Sequence, residues 1–125
     1  MNIPEKLKYT KEHEWIKVDG NFAYIGITDF AQSELGDIVF IEMPNINDSF
    51  NKDDVFGTIE AVKTLADLFI PASGKIIKIN ENLDNEPELV NSDPYNAGWV
   101  VKIELANLSE LDDLLDSEDY KELVK

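Results

Sequence analysis

The sequence predicts a mainly β fold with one short helix near residues 28–35 and a helical C-terminal tail. Two observations carry this. Short runs of strand-forming residues with period-2 alternation recur from Trp15 to Leu105, and Gly, Pro, Asn and Asp punctuate them. Helical spacing of apolar residues appears only around 28–35 and again after residue 107. At 125 residues, of which 43% are hydrophobic, the chain suits a single domain over 1–125, with a β core at about 7–105 and an acidic tail at about 107–125.

Met1 to Lys8 reads as a polar lead-in and Tyr9 to Glu14 as a charged segment. Trp15 to Val18 alternates as a strand, Asp19-Gly20-Asn21 signals a hairpin turn, and Phe22 to Ile27 returns. Thr28 is a good helix N-cap, Asp29 suits the first turn, and Gly36 is a natural stop. Asp37 to Met43 is an apolar strand expected to be buried on both faces at its centre. Pro44 to Asp54 is a polar loop. Its Asn and Asp residues raise calcium, but the EF-hand's Gly and terminal Glu are missing, so the reading is a solvated turn.

In the second half, Val55, Gly57, Ile59 and Ala61 alternate with Phe56, Thr58 and Glu60. Leu65 to Pro71 is a second run, so Lys63 falls at a hairpin tip. Gly74 to Asn80 is another strand, 82–94 a structured loop, and Gly98 to Leu105 the last strand. In the tail, Ser109 with Asp112 approximates a capping box, Ser117 can cap a second short helix, and the leucine stripe Leu108, Leu111, Leu114, Leu115 should pack on the β core.

Composition narrows the function. With 26 acids against 11 basic residues the formal net charge is -15, which disfavours nucleic acid and anionic membranes as partners and favours basic protein surfaces. No run is long enough for a transmembrane helix. The N-terminus lacks both a signal peptide and an Arg-rich presequence, so the expected compartment is the cytoplasm, or the mitochondrion if a transit peptide has been removed. There is no cysteine and a single histidine, His13, read as a surface or packing residue, so a histidine metal cluster is ruled out and a Ser-His-Asp triad has little to draw on. No catalytic residues and no metal ligands are assigned. What remains is a carried group. A lysine amine at a hairpin tip can form an amide with a carboxylic cofactor, and the arm then visits several active sites at high effective concentration.

Specific stretches sharpen this. They are LKYTKEHEW (7–15), GITDFAQSELGDIVFIEMP (26–44), EAVKTLAD (60–67), PASGKIIKINENLDNEPELVNSDPY (71–95) and GWVVKIEL (98–105). Together they resemble the glycine cleavage H-protein family of lipoyl carriers. The loop with Pro87, Asn91 and Pro94 before Gly98-Trp99 is the most specific part. The family often has Ser where this chain has Ala61, and a small residue where it has Leu65.

The resemblance implies a barrel-sandwich hybrid fold of the lipoyl/biotinyl type, lipoic acid in amide linkage on Lys63, and a carrier without enzymatic activity of its own. It implies shuttling of the aminomethyl group of glycine from a pyridoxal-phosphate glycine decarboxylase to a tetrahydrofolate-dependent aminomethyltransferase. A dihydrolipoyl dehydrogenase and lipoylating enzymes are the other implied partners. Glu12, Glu14 and Asp67 are candidates to contact the cationic end of the loaded arm. Alternatives are a second role as an octanoyl or lipoyl relay, a lipoyl domain of another complex, and an unmodified acidic interaction module.

Overall fold

The computed structural model describes residues 1–125. Nine strands form two sheets. The larger has six strands in the order β1 (Lys8–Tyr9), β2 (Glu14–Asp19), β3 (Phe22–Ile27), β9 (Val101–Leu105), β8 (Gly74–Ile79) and β5 (Ser49–Phe50), all pairings antiparallel. The smaller has three, β4 (Ile38–Glu42), β6 (Val55–Ala61) and β7 (Leu65–Phe69). The inner faces of the two sheets share one apolar core, to which Ile16, Ile25, Val101 and Ile103 contribute from the large sheet and Ile41, Ile59 and Leu68 from the small one.

The β2–β3 hairpin turns on Gly20, whose φ of 63° suits the first position of a type II′ turn. Helix α1 (Asp29–Leu35) follows β3, capped by the Thr28 hydroxyl, which accepts from the Ala31 N–H, and stopped at Gly36. Strands β4, β6 and β8 depart from simple alternation because of register shifts. In β4 the register shifts between Ile38 and Phe40, so Ile38 and Ile41 point inward while Val39 and Phe40 are exposed. The expected burial on both faces is therefore wrong. In β6 a shift between Val55 and Gly57 turns Phe56 into the core, against the expected grouping with Thr58 and Glu60. In β8 a shift after Ile76 buries that residue and leaves Lys78 outside.

Other boundaries also move. β1 straddles the polar lead-in and the charged segment, and the loop after Pro44 contains β5. Within that loop the Asp48 and Asp54 carboxylates accept from the Asn45 and Asn51 N–H groups, which uses the acids as turn formers. Residues 82–94 hold two single-turn helices, α2 (Asn82–Asn85) and α3 (Leu89–Ser92), and β9 begins at Val101 because Gly98 and Trp99 belong to the preceding turn. The tail is a 3-10 helix (Leu108–Asp113) and α4 (Ser117–Leu123). Asn107 and Asp116 cap them, rather than Ser109 and Ser117. Each lies before the expected serine and its side chain accepts from a first-turn N–H. Leu111 and Leu114 pack on the main core, whereas Leu108 is exposed.

On the outer side of the large sheet, α4 and the N-terminal segment close a second cluster of Leu7, Tyr9, Trp15 and Tyr120. Tyr9 and Tyr120 stack with centroids 4.7 Å apart. No helix is long and apolar enough to cross a membrane.

Candidate functional site

Lys63 is exposed at the β6–β7 tip. The Ala61 N–H donates to the Thr64 carbonyl across the turn, and the Val62 N–H donates to the Asp37 carbonyl at 3.0 Å, pinning the tip to the start of β4. Asn91, on α3, steadies that same corner. Its side-chain oxygen accepts from the Ile38 N–H, and its amide donates to the Gly36 carbonyl and to Gln32. Gly36 itself lies under the lysine: a Cβ there would sit 3.3 Å from Lys63 Cε. The lysine stem therefore leans across the C-terminus of α1 rather than pointing straight into solvent.

Beside that corner opens a cleft of about 470 Å³ between α1, the β2 start and the edge strand β7. Ile27, Phe30, Ala31, Leu35, Ile59 and Leu68 give it apolar walls. Glu12, Glu14 and Asp67, the three acids expected from the sequence, all line it, together with Glu34 and His13. Lys63 is flanked by the two segments that line one side of this cleft, Leu35 before Gly36 and Ala66 after Leu65.

The acids are not equivalent. Glu12 and Asp67 are exposed, whereas Glu14 is 2% exposed. The Thr10 hydroxyl donates to Glu14 Oε1 at 2.6 Å and the Phe69 N–H donates to Oε2 at 3.2 Å. The second bond exists because β7 is an edge strand, whose outward N–H groups lack a strand partner. Burial pushes the Glu14 carboxyl up from its ordinary 4.5 to about 8, against the pull of these two donors, and Glu12 adds to the rise. An uncompensated carboxylate here is costly, so the site favours a cation beside it.

His13, expected at the surface or in packing, sits at the cleft wall. Its φ is 72°, its ring lies 4.8 Å from Phe30, and Nδ1 is 2.8 Å from the Tyr120 hydroxyl. That hydroxyl is 2.7 Å from Thr28 Oγ1, the cap of α1. Burial lowers the His13 pKa and raises that of Tyr120 to about 12, so both stay neutral near pH 7. Since Thr28 Oγ1 accepts from Ala31, its own proton is free for Tyr120, which can in turn donate to Nδ1. Sequence reasoning gave no role at the site to Gly36, Thr10, Asn91 or Tyr120. Gly36 carried a signal as a helix stop, and Asn91 as part of the loop most specific to the family resemblance.

A two-sheet β sandwich with a lone outward lysine at a hairpin tip, beside an apolar cleft ending in acids, defines a barrel-sandwich carrier domain of the lipoyl/biotinyl type. A family profile described as glycine cleavage H-protein matches residues 7–125. The glycine cleavage system H protein of Staphylococcus haemolyticus is 53% identical over 124 residues, covering 99% of this chain and 98% of the relative. That of Carboxydothermus hydrogenoformans is 54% identical over 123 residues, covering 98% and 95%. A crystal structure of a glycine cleavage system H protein from Mycobacterium marinum superposes with a TM-score of 0.88 at 32% identity, covering 96% of this chain and 97% of that one. The chain belongs to the glycine cleavage H-protein family, the lipoyl carriers of the glycine cleavage system, and works as a carrier rather than a catalyst. Membership implies interaction with the other components of that system.

Proposed function

We propose that Lys63 is the residue that carries the lipoyl group, in amide linkage, and that the cleft beside it shelters the arm's far end. The observation that supports this most is the lean of the exposed lysine across Gly36, next to a cleft with apolar walls and buried Glu14. The residues fit the group: a flexible hydrocarbon arm matches the walls formed by Ile27, Phe30, Leu35 and Leu68, and the cleft volume suits a small ligand. When bound, lipoate supplies a redox-active disulfide at the end of a long neutral arm, able to take up and release the one-carbon amine fragment of glycine.

The chain's own part is to anchor, shelter and neutralise. Lys63 supplies the amine and loses its charge in the amide. The apolar walls exclude water from whatever the arm brings in. Glu14, with Asp67 and Glu12 at the rim, receives a cationic amine. Its carboxyl holds a proton up to about pH 8, and a cation brought beside it would drive that proton out to solvent and pair with the carboxylate left behind. Thr10 and the Phe69 N–H hold both Glu14 oxygens in place during this exchange.

The finer partners in this reading are a pyridoxal-phosphate glycine decarboxylase, an aminomethyltransferase, a dihydrolipoyl dehydrogenase and a lipoylating enzyme. The compartment is the cytoplasm, in keeping with the bacterial origin of the relatives. The test is glycine-dependent carbon dioxide exchange, reconstituted with the decarboxylase. Lys63→Arg should abolish it, and exchange at the wild-type rate would refute the assignment. In the same system Glu14→Gln and Asp67→Asn should shorten the lifetime of the loaded carrier, and unchanged lifetimes would remove the acids from the account.

A further inference from the structure

Lys63 stands inside a group of apolar side chains that the fold leaves uncovered. Val39 is 47% exposed, Phe40 52%, Val62 75% and Leu65 65%. These are four of the chain's eleven exposed large hydrophobics, and they share the β4 bulge and the β6–β7 tip, whereas the other seven are spread along the chain. Backbone geometry puts them there. The β4 bulge turns Val39 and Phe40 outward, and the register aligns Phe40, Glu60 and Leu65 as direct neighbours across the three strands. The bond from the Val62 N–H to Asp37 holds the tip against the same end of β4.

Charge at this corner has one sign. Glu34, Asp37, Glu42, Glu60 and Asp67 are exposed around it, none of them in an ion pair, and Lys63 is the only cation on the tip and the three strands. An apolar patch ringed by unpaired acids fits a partner whose contact surface is apolar at its centre and basic at its rim.

We propose that Val39, Phe40, Val62 and Leu65 form the docking collar for the enzyme that acylates Lys63, whose acceptor mouth is apolar and edged with lysine or arginine. This rests on the reading of Lys63 as the acylated residue. Reach selects this occupant. The Lys63 nitrogen must come within bonding distance of an activated acyl carbon, so the acylating enzyme has to close over the hairpin tip. Enzymes that act on the far end of the arm need not bring the Lys63 nitrogen into their active sites. In the step itself the ammonium first loses a proton. The freed amine attacks the carbonyl of an acyl thioester or acyl adenylate, and a C–N bond forms as the C–S bond, or the C–O bond to the phosphate, breaks. The thiol or AMP leaves, the nitrogen sheds a second proton, and no electrons change hands.

The test uses the full unmodified chain with a purified lipoate ligase, lipoate and ATP. Phe40→Ser and Leu65→Ser alter exposed side chains, and circular dichroism verifies their fold. Ile46→Ser, at a residue 50% exposed on a distant loop, is the control. Each collar variant should lose about tenfold in kcat/KM for acylation, mainly through KM, and the control should not. Once fully lipoylated and chemically reduced to the dithiol, the collar variants should be reoxidised by dihydrolipoyl dehydrogenase, with NAD as electron acceptor, at the wild-type rate. Acylation kinetics that match wild type, or a loss shared by Ile46→Ser, would overturn the collar while leaving Lys63 as the acceptor. Failure of the ligase to modify Lys63 in the wild-type chain would instead overturn the reading beneath it.

Discussion

The Phe69 backbone N–H donates to Glu14 Oε2 at 3.2 Å, joining the edge of the lysine-bearing sheet to a buried carboxyl on the other sheet. This bond and the Thr10 hydroxyl are what make a nearly inaccessible acid tolerable. The sign of its pH effect follows. The folded chain holds the Glu14 proton up to about pH 8, the unfolded chain only to about 4.5, so stability falls as pH rises between those values. Denaturant unfolding at about pH 5 and about pH 9 should show wild type losing more stability than Glu14→Gln. The difference should be a few kcal/mol, since each tenfold change in proton affinity is worth roughly 1.4 kcal/mol. Parallel losses in both proteins would contradict the buried-acid account.

Gly36 takes φ 79° and ψ -156°, a region that side chains avoid. Gly36→Ala should cost about 1–3 kcal/mol in urea unfolding. The added methyl would also press on Lys63 Cε, so acylation of the variant should slow even where the fold is retained. An alanine variant as stable and as readily acylated as wild type would remove Gly36 from the site.

Trp15 lies against Gly26, its direct cross-strand neighbour, and a Cβ at Gly26 would sit 2.7 Å from the indole ring. The ring cannot yield easily, since it is buried and its Nε1 donates to the Pro94 carbonyl at 3.0 Å. Gly26→Ala should therefore cost about 1–3 kcal/mol by overpacking. A thermal midpoint equal to wild type would show that the indole can move.

Tyr120→Phe removes the hydroxyl shared by His13 and Thr28, leaving the buried Thr28 hydroxyl and the partly buried His13 ring short of a partner. The expected loss is about 1–3 kcal/mol, read as an earlier unfolding midpoint. The His13 resonances should shift in the same variant, because the ring loses its only side-chain hydrogen bond. Unmoved resonances would separate the C-terminal helix from the cleft.

What could be read from the sequence was local. The Gly20 turn, the Thr28 cap, the Gly36 stop and the Lys63 hairpin each depend on a few neighbouring residues, and each lies where expected. The bulges were not legible, because a register shift such as Ile38 to Phe40 is a property of two paired strands. The same holds for the contact of Gly36 with Lys63 and for Tyr120 reaching His13, which join distant parts of the chain. Asn107 and Asp116 displaced Ser109 and Ser117 as caps because good cap formers stood close together, and local rules do not choose between them. Asp67 was picked for its place on the hairpin, and Glu12 and Glu14 for theirs around His13, as acids that could face a cationic arm end. Their common cleft became visible only once β7 stood beside α1.

The most direct test of the central claim is peptide mass mapping of the protein taken from cells with active lipoylation. A lipoyl-sized mass increment is expected, confined to the peptide containing Lys63, with trypsin failing to cut after that residue. An unmodified Lys63, cleaved like the other lysines, would contradict it.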